Sequence, residues 1–243
     1  MFCRALMALV SATFAACATA PATSPASEAA CEPAVIPGLE QVAPGWHAEI
    51  AAWHRSAPEF AELVRVATFM ALPDQLIVIF ERRVGEGTAC RSGLTRVTFG
   101  HDGDGWLEAE RFDAGLDCCP GQACSPGPDG WQLRWNRAVD AGARAALAEL
   151  VAPGGFELHV TYPGPAEEGD GELLATWTPA DLRDERVAVP GCDLVWATPS
   201  CSEADPRTGA FACRCDAGGS HVVMSWVAGP DGPRIAHIRD DSH

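Results

Sequence analysis

The placement of cysteine constrains this chain more than any other feature. Of its eleven cysteines, Cys192, Cys201, Cys213 and Cys215 crowd into one C-terminal stretch. Cys118, Cys119 and Cys124 form a second group, with Cys90 its candidate fourth member. Thiols at this density either oxidise into a framework or hold a metal, and the compartment decides between the two. In an exported chain these eight residues are disulfide candidates. Each bridge would contribute about 3 kcal/mol by closing loops in the unfolded ensemble. Connectivity is not readable from spacing. The alternative is a metal-binding protein of the periplasm, using Cys118, Cys119 and Cys124, or Cys213 and Cys215 with nearby His221, as zinc or copper ligands. It would require reduced thiols, and neither group has paired C-x-x-C spacing, so no metal centre or redox-active pair is expected. Nine cysteines lie beyond Cys17, an odd number, and Cys31 is the candidate unpaired thiol.

Export is written at the N-terminus. Arg4 supplies a short basic region, an apolar run covers 5–16, and small residues follow. A dozen apolar residues are too few to span a bilayer as a helix, so residues 1–17 are expected to be a signal peptide. The run ends Phe14-Ala15-Ala16-Cys17. This resembles the lipobox of bacterial lipoproteins, with Phe14 where that family prefers leucine. The resemblance implies lipidation of Cys17 and a membrane partner through the lipid, on the periplasmic or outer surface of the cell envelope. The alternative is simple secretion, with cleavage after Ala20 or Ala22, each the end of an A-x-A triplet. Residues 18–43 are rich in proline, alanine and serine and would act as a tether, about 3.1 Å long per residue where extended.

The globular part begins at 44. Apolar residues make up 47% of the chain, enough to build a core. The formal charge is −16, with no lysine and no basic stripe, which excludes a nucleic-acid partner. Arginine richness carries no weight here, because a chain with no lysine, one asparagine and one tyrosine reflects a GC-rich genome.

Along the chain, Trp46, Ile50 and Trp53 recur at helical spacing over 45–55. Ser56-Ala57-Pro58-Glu59 predicts a second helix start, with Phe60, Leu63, Val64, Ala67 and Met70 on its buried face. Residues 76–80 predict a buried strand, and 94–99 with 106–112 a hairpin around His-Asp-Gly-Asp-Gly. The Cys-, Pro- and Gly-rich stretch 117–130 predicts a loop. Trp131, Leu133 and Trp135 alternate as on a strand, and Asp140 predicts the cap of a helix running to 152. Strands are predicted at 156–162, 172–177, 193–197, 210–213, 221–228 and 234–238, with one helical turn opened by Thr178-Pro179. The fold class is therefore α+β: a mainly antiparallel sheet with two or three helices, disulfide-stabilised. The pattern gives a single domain over 44–243, or two similar halves at 44–117 and 131–243. The closing Arg234-Ile-Ala-His-Ile238 is similar to the last strand of NTF2-like domains, which implies a cone-shaped α+β fold as an alternative.

No nucleophile elbow, zincin helix, phosphate loop or dinucleotide fingerprint is present, so no catalytic residue and no cofactor are assigned. Ser220 and His221 are adjacent strand residues and point to opposite faces. His47 and His54 share a helix face, and Asp102 and Asp104 sit in a hairpin turn that lacks the further ligands of a calcium loop. Glu108 and Glu110, on one strand face with Trp106, are the carboxylates a polysaccharide hydrolase would use. Trp131 and Trp135 are candidate ligand-binding residues, since two aligned indoles can stack sugar rings. The leading expectation is a non-enzymatic binding or structural domain with an envelope protein or glycan as partner; the alternative is an envelope polysaccharide hydrolase or carbohydrate-binding protein.

Overall fold

Alternating apolar residues on β2 divide the N-terminal half into two faces. In the computed structural model, which describes residues 36–42, 46–101, 103, 105–122, 124–160, 172–184, 187–217 and 220–241, strands β1 (Leu63–Ala71), β2 (Gln75–Val84), β3 (Arg91–His101) and β4 (Trp106–Asp113) form an antiparallel meander. A short β5 (Asp117–Cys118) pairs with β3. Leu76, Val78 and Phe80 face one side together with Val97 and Phe99 of β3. Helix α1 (His47–Ser56) covers that side with Ile50 and Trp53, and the 3-10 turn Pro58–Glu62 adds Phe60. The Trp53 ring stacks on Phe60 at 4.1 Å and meets Phe99 edge-on at 5.2 Å. Ile79 and Leu94 face the other way, into a separate cluster.

The second sheet contains β6 (Phe156–Val160), β7 (Glu172–Trp177), β8 (Thr198–Cys201), β9 (Phe211–Ala217), β10 (Ser220–Val227) and β11 (Arg234–Asp240), in the order β7-β6-β11-β10-β9-β8. All neighbours are antiparallel except β6 and β11, which run parallel. The first sheet is an all-antiparallel meander, so the two halves do not share a topology.

Helix α2 (Pro128–Asp140) joins both layers. Trp131, Trp135 and Ala138 enter the core of the second sheet with Phe156, Met224 and Ile238, and α3 (Arg144–Glu149) adds Leu147 there. Leu133 joins Ile79, Leu94 and Leu194 against the first sheet. The start of α2 lies so close to the preceding segment that a Cβ on Gly130 would sit 2.4 Å from the Leu116 carbonyl oxygen.

All eight cysteines of the two groups are paired: Cys90–Cys119, Cys118–Cys124, Cys192–Cys215 and Cys201–Cys213. The molecule is a disulfide-stabilised α+β protein, and its disulfides belong to an oxidising compartment. No helix among the described residues is long and apolar enough to cross a membrane. The expected signal peptide, Cys17, Cys31 and residues 18–35 of the expected tether lie outside the described residues, as do Asp102 and Asp104. The expected tether does not run to 43, because Ile36, Leu39 and Val42 are buried in the core on the α1 side of the first sheet.

Several elements differ from expectation for identifiable reasons. The helix expected after Ser56 is the strand β1. Register shifts between Leu63 and Arg65 and between Val66 and Thr68 break its alternation, so buried Leu63 and Val66 fall three apart and imitate helical spacing. Trp131, Leu133 and Trp135 lie on a helix, not a strand. They alternate because α2 is buried on more than one face. Asp140 ends α2 rather than capping the next helix, and Gly142, at φ +60°, makes the break. Residues 194–196 turn instead of extending, and the strand begins at Thr198.

Gly130→Ala tests the close approach. Alanine favours a helix interior by about 0.5–1 kcal/mol, whereas overpacking against a backbone carbonyl costs about 1–3 kcal/mol. The variant is expected to lose net stability, read as a lower urea midpoint at unchanged m value.

Candidate functional site

A cleft of about 740 Å³ lies between the first sheet and the C-terminal end of α2. β1 and β2 present Arg65 and Glu81 to it, α2 presents Arg137 and Asp140, and the turn after Cys192 presents Asp193 and Leu194. Alternation puts Arg65, Ile79 and Glu81 on the same side of the sheet, and the 3.6-residue period puts Arg137 and Asp140 one turn apart. Cys192–Cys215 fixes the turn to β9 and so holds the third wall.

The charges in this cleft are unevenly matched. Arg65 donates to Glu81 at 2.5 Å, which holds the Glu81 carboxyl below its ordinary value and raises Arg65. Arg137 donates to the Ser92 hydroxyl at 3.3 Å, and burial pushes its guanidinium below the ordinary value against the opposing pull of Asp117 and Glu81. Asp140 is raised, first by partial burial at the cleft wall and then by Asp193 beside it. One turn of α2 therefore carries a cation and an anion side by side at the cleft wall. A second concavity, of about 490 Å³, lies on the other side of Arg137, lined also by Trp131, Arg134 and Arg234.

The residues singled out in the sequence lie elsewhere. Trp131 and Trp135 are 7% and 0% exposed, too buried to form a sugar platform; Trp135 donates to the Pro190 carbonyl at 2.8 Å, and Arg134 lies over the Trp131 ring. Glu108 and Glu110 do not share a face. A bulge between the Thr98 and Phe99 pairings sends Glu108 to the α1 side, where it accepts from Trp53 Nε1 at 2.8 Å, and Glu110 to the opposite side, 3.4 Å from Arg96. His47 and His54 each contact a backbone carbonyl, of Val42 and Leu63. His221 pairs with Asp241 at 2.5 Å. The eight cysteines of the two groups are paired in disulfides and offer no thiolates for metal.

Sequence reasoning missed a further group on the open face of the second sheet. Glu157 and His159 of β6 and His237 of β11 bring one donor atom each within 4.8 Å of one another. Their signal was faint: polar residues at alternate positions in Phe-Glu-Leu-His-Val and Ile-Ala-His-Ile, on strands far apart in the chain.

No protein-family model matches the chain, and no curated protein matches it. Among solved structures it is similar to an NTF2-like protein from Bacteroides fragilis, with 10% identity over 62% of this chain and a TM-score of 0.30. The chain spans 60% of that protein's length, and a likeness this loose carries no argument about fold or function.

The cleft electrostatics are open to a pH test. Asp140 has its folded value above the ordinary 3.8, so its ionised form costs stability at neutral pH. Asp140→Asn is expected to raise the melting temperature at pH 7. The gain should shrink as pH falls through the raised folded value and vanish below the ordinary one, in paired thermal melts of the two proteins.

Proposed function

We propose that this chain is an exported cell-envelope protein, anchored by a lipid on Cys17, whose domain binds a small zwitterionic ligand in the cleft between the first sheet and α2 without transforming it. The observation that carries the binding role is the pairing of Arg137 and Asp140 on one turn of α2 at the wall of a cleft of about 740 Å³. Ligand sites are concave, largely apolar and furnished with a few convergent polar groups. Here Ile79, Leu94 and Leu194 supply the apolar wall, Arg137 an anion partner, and Asp140 with Asp193 a cation partner. The hydrolase reading lacks its geometry, since Glu108 and Glu110 leave the sheet on opposite sides. Four disulfides support the address, and the lipobox-like leader supports the anchor.

Two measurements test this reading. The denaturing intact mass of protein isolated from its native membranes is expected to equal the chain from Cys17 plus acyl groups, with eight cysteines resistant to alkylation until reduced. An unlipidated mass would move the protein to secretion. For the cleft, free amino acids at millimolar concentration are the probes. A ligand at a hundredfold its Kd adds about 2.7 kcal/mol to stability. At least one amino acid should raise the melting temperature of the wild type and leave Arg137→Ala unmoved. Equal shifts in both proteins, or none in either, would remove the cleft from the function.

A further inference from the structure

The parallel pairing of β6 and β11 sets His237 in register with Glu157 and Arg239 in register with His159. Residues in register across strands, and residues two apart along a strand, share a face. Glu157, His159 and His237 therefore converge on the side of the second sheet away from α2, since Leu158 and Ile238 between them turn into the core with Trp135. A register shift after Ser225 makes this possible. Ala236 is the extra residue, so Ile235 and Ile238, three apart, both stay buried while His237 points out.

The three donor atoms lie within 4.8 Å of one another, close enough to converge on one ion. His159 Nε2 lies 3.3 Å from Glu157 Oε2, and the two imidazole centroids are 4.6 Å apart with planes at 59°. With metal–ligand bonds of about 2.0–2.1 Å, a tetrahedral site has edges of about 3.3–3.4 Å. The His159 side chain is only 14% exposed, and its Nδ1 is buried with no hydrogen-bond partner. Because Nε2 is the nitrogen that faces Glu157, it is the donor His159 offers, and Nδ1 points away from the carboxylate. The neighbouring cation does not occupy the carboxylate: Arg239 directs its Nε to Asp241 at 3.0 Å. A chain of formal charge −16 also draws cations toward its surface.

We propose that Glu157, His159 and His237 bind a divalent first-row transition ion of the zinc class. Two imidazoles and one carboxylate suit zinc, copper or nickel and are a poor set for calcium or magnesium, which take oxygen ligands. Three protein ligands leave at least one coordination position open, and the Glu157 side chain, 56% exposed, places that opening at solvent. The site lies across the second sheet from α2 and does not depend on the cleft reading.

The test uses the full exported chain without a polyhistidine tag, disulfides intact and any free thiol alkylated, so that no tag imidazole or thiolate competes with the chain's own histidines. Titration with Zn²⁺ by calorimetry is expected to show one ion per chain, and Cu²⁺ at one equivalent should show two imidazole nitrogens by electron paramagnetic resonance. Glu157→Gln, at an exposed position that tolerates the change, should weaken zinc by about tenfold or more, and His237→Ala should reduce the copper signature to at most one nitrogen. His221→Ala and Arg137→Ala should leave both readouts unchanged. No stoichiometric zinc, or binding that survives His237→Ala but falls in His221→Ala, overturns the assignment. Far-UV circular dichroism of each variant separates lost ligands from lost folding, and the Glu157→Gln result decides the matter if a histidine variant does not fold.

Discussion

A helix that buries side chains on two faces needs two partners, and α2 finds one in each sheet. Trp131, Trp135 and Ala138 belong to the core of the second sheet, and Leu133 to the cluster beneath the first. Its polar residues are buried as well. Asn136 Oδ1 accepts from Gln132 Nε2 at 3.2 Å and from the Cys192 amide at 3.0 Å. These contacts engage one end of each amide, while Gln132 Oε1 and Asn136 Nδ2 are buried with no partner among the described residues. The helix thus fixes the relation between the sheets, and with it the wall of the cleft that Arg137 and Asp140 occupy. The cross-connection from the first sheet is Arg96, 8% exposed, whose guanidinium donates to the carbonyls of Leu194 and Ala197 and to the Thr198 hydroxyl. A buried guanidinium is tolerable only with most of its donors engaged, so the 194–198 turn is held where Arg96 needs acceptors.

The disulfides act on the same joint. Cys192–Cys215 ties the start of that turn to β9, and Cys201–Cys213 closes β8 onto β9 at paired positions. Cys90–Cys119 and Cys118–Cys124 fasten the segment that leads from the first sheet into α2. Loop-rich connections with few apolar residues cannot hold themselves by burial, and each bridge removes part of their freedom in the unfolded state.

What could be read in advance was local. The β3–β4 hairpin, the buried run of β2, the first helix and the membership of both cysteine groups follow from alternation, turn chemistry and proximity in the chain. What could not be read depends on the count of residues between partners. In β1 two register shifts made a strand look helical, and in α2 burial on two faces made a helix look like a strand. Neither the cleft nor the Glu157–His159–His237 group had a linear signature. Arg65 meets Arg137 across the two halves of the chain, and β6 meets β11 only because the five elements between them return the chain to its side.

Single inserted residues then decide which polar groups meet. In β4 the extra residue is Ala109. It turns Glu108 toward Trp53 and Glu110 toward Arg96, and so dissolves a carboxylate pair that strict alternation would have kept together. In β11 the extra residue is Ala236, and it does the reverse. Strict alternation through Ala236, with no bulge, would put His237 on the same face as buried Ile235, in the core beside Phe156 and Trp226. With the bulge, His237 stands beside Glu157 while the isoleucines keep their packing. A one-residue change of register moves a side chain through the sheet, so the chemistry available on either face of this protein is set by where its strands are irregular.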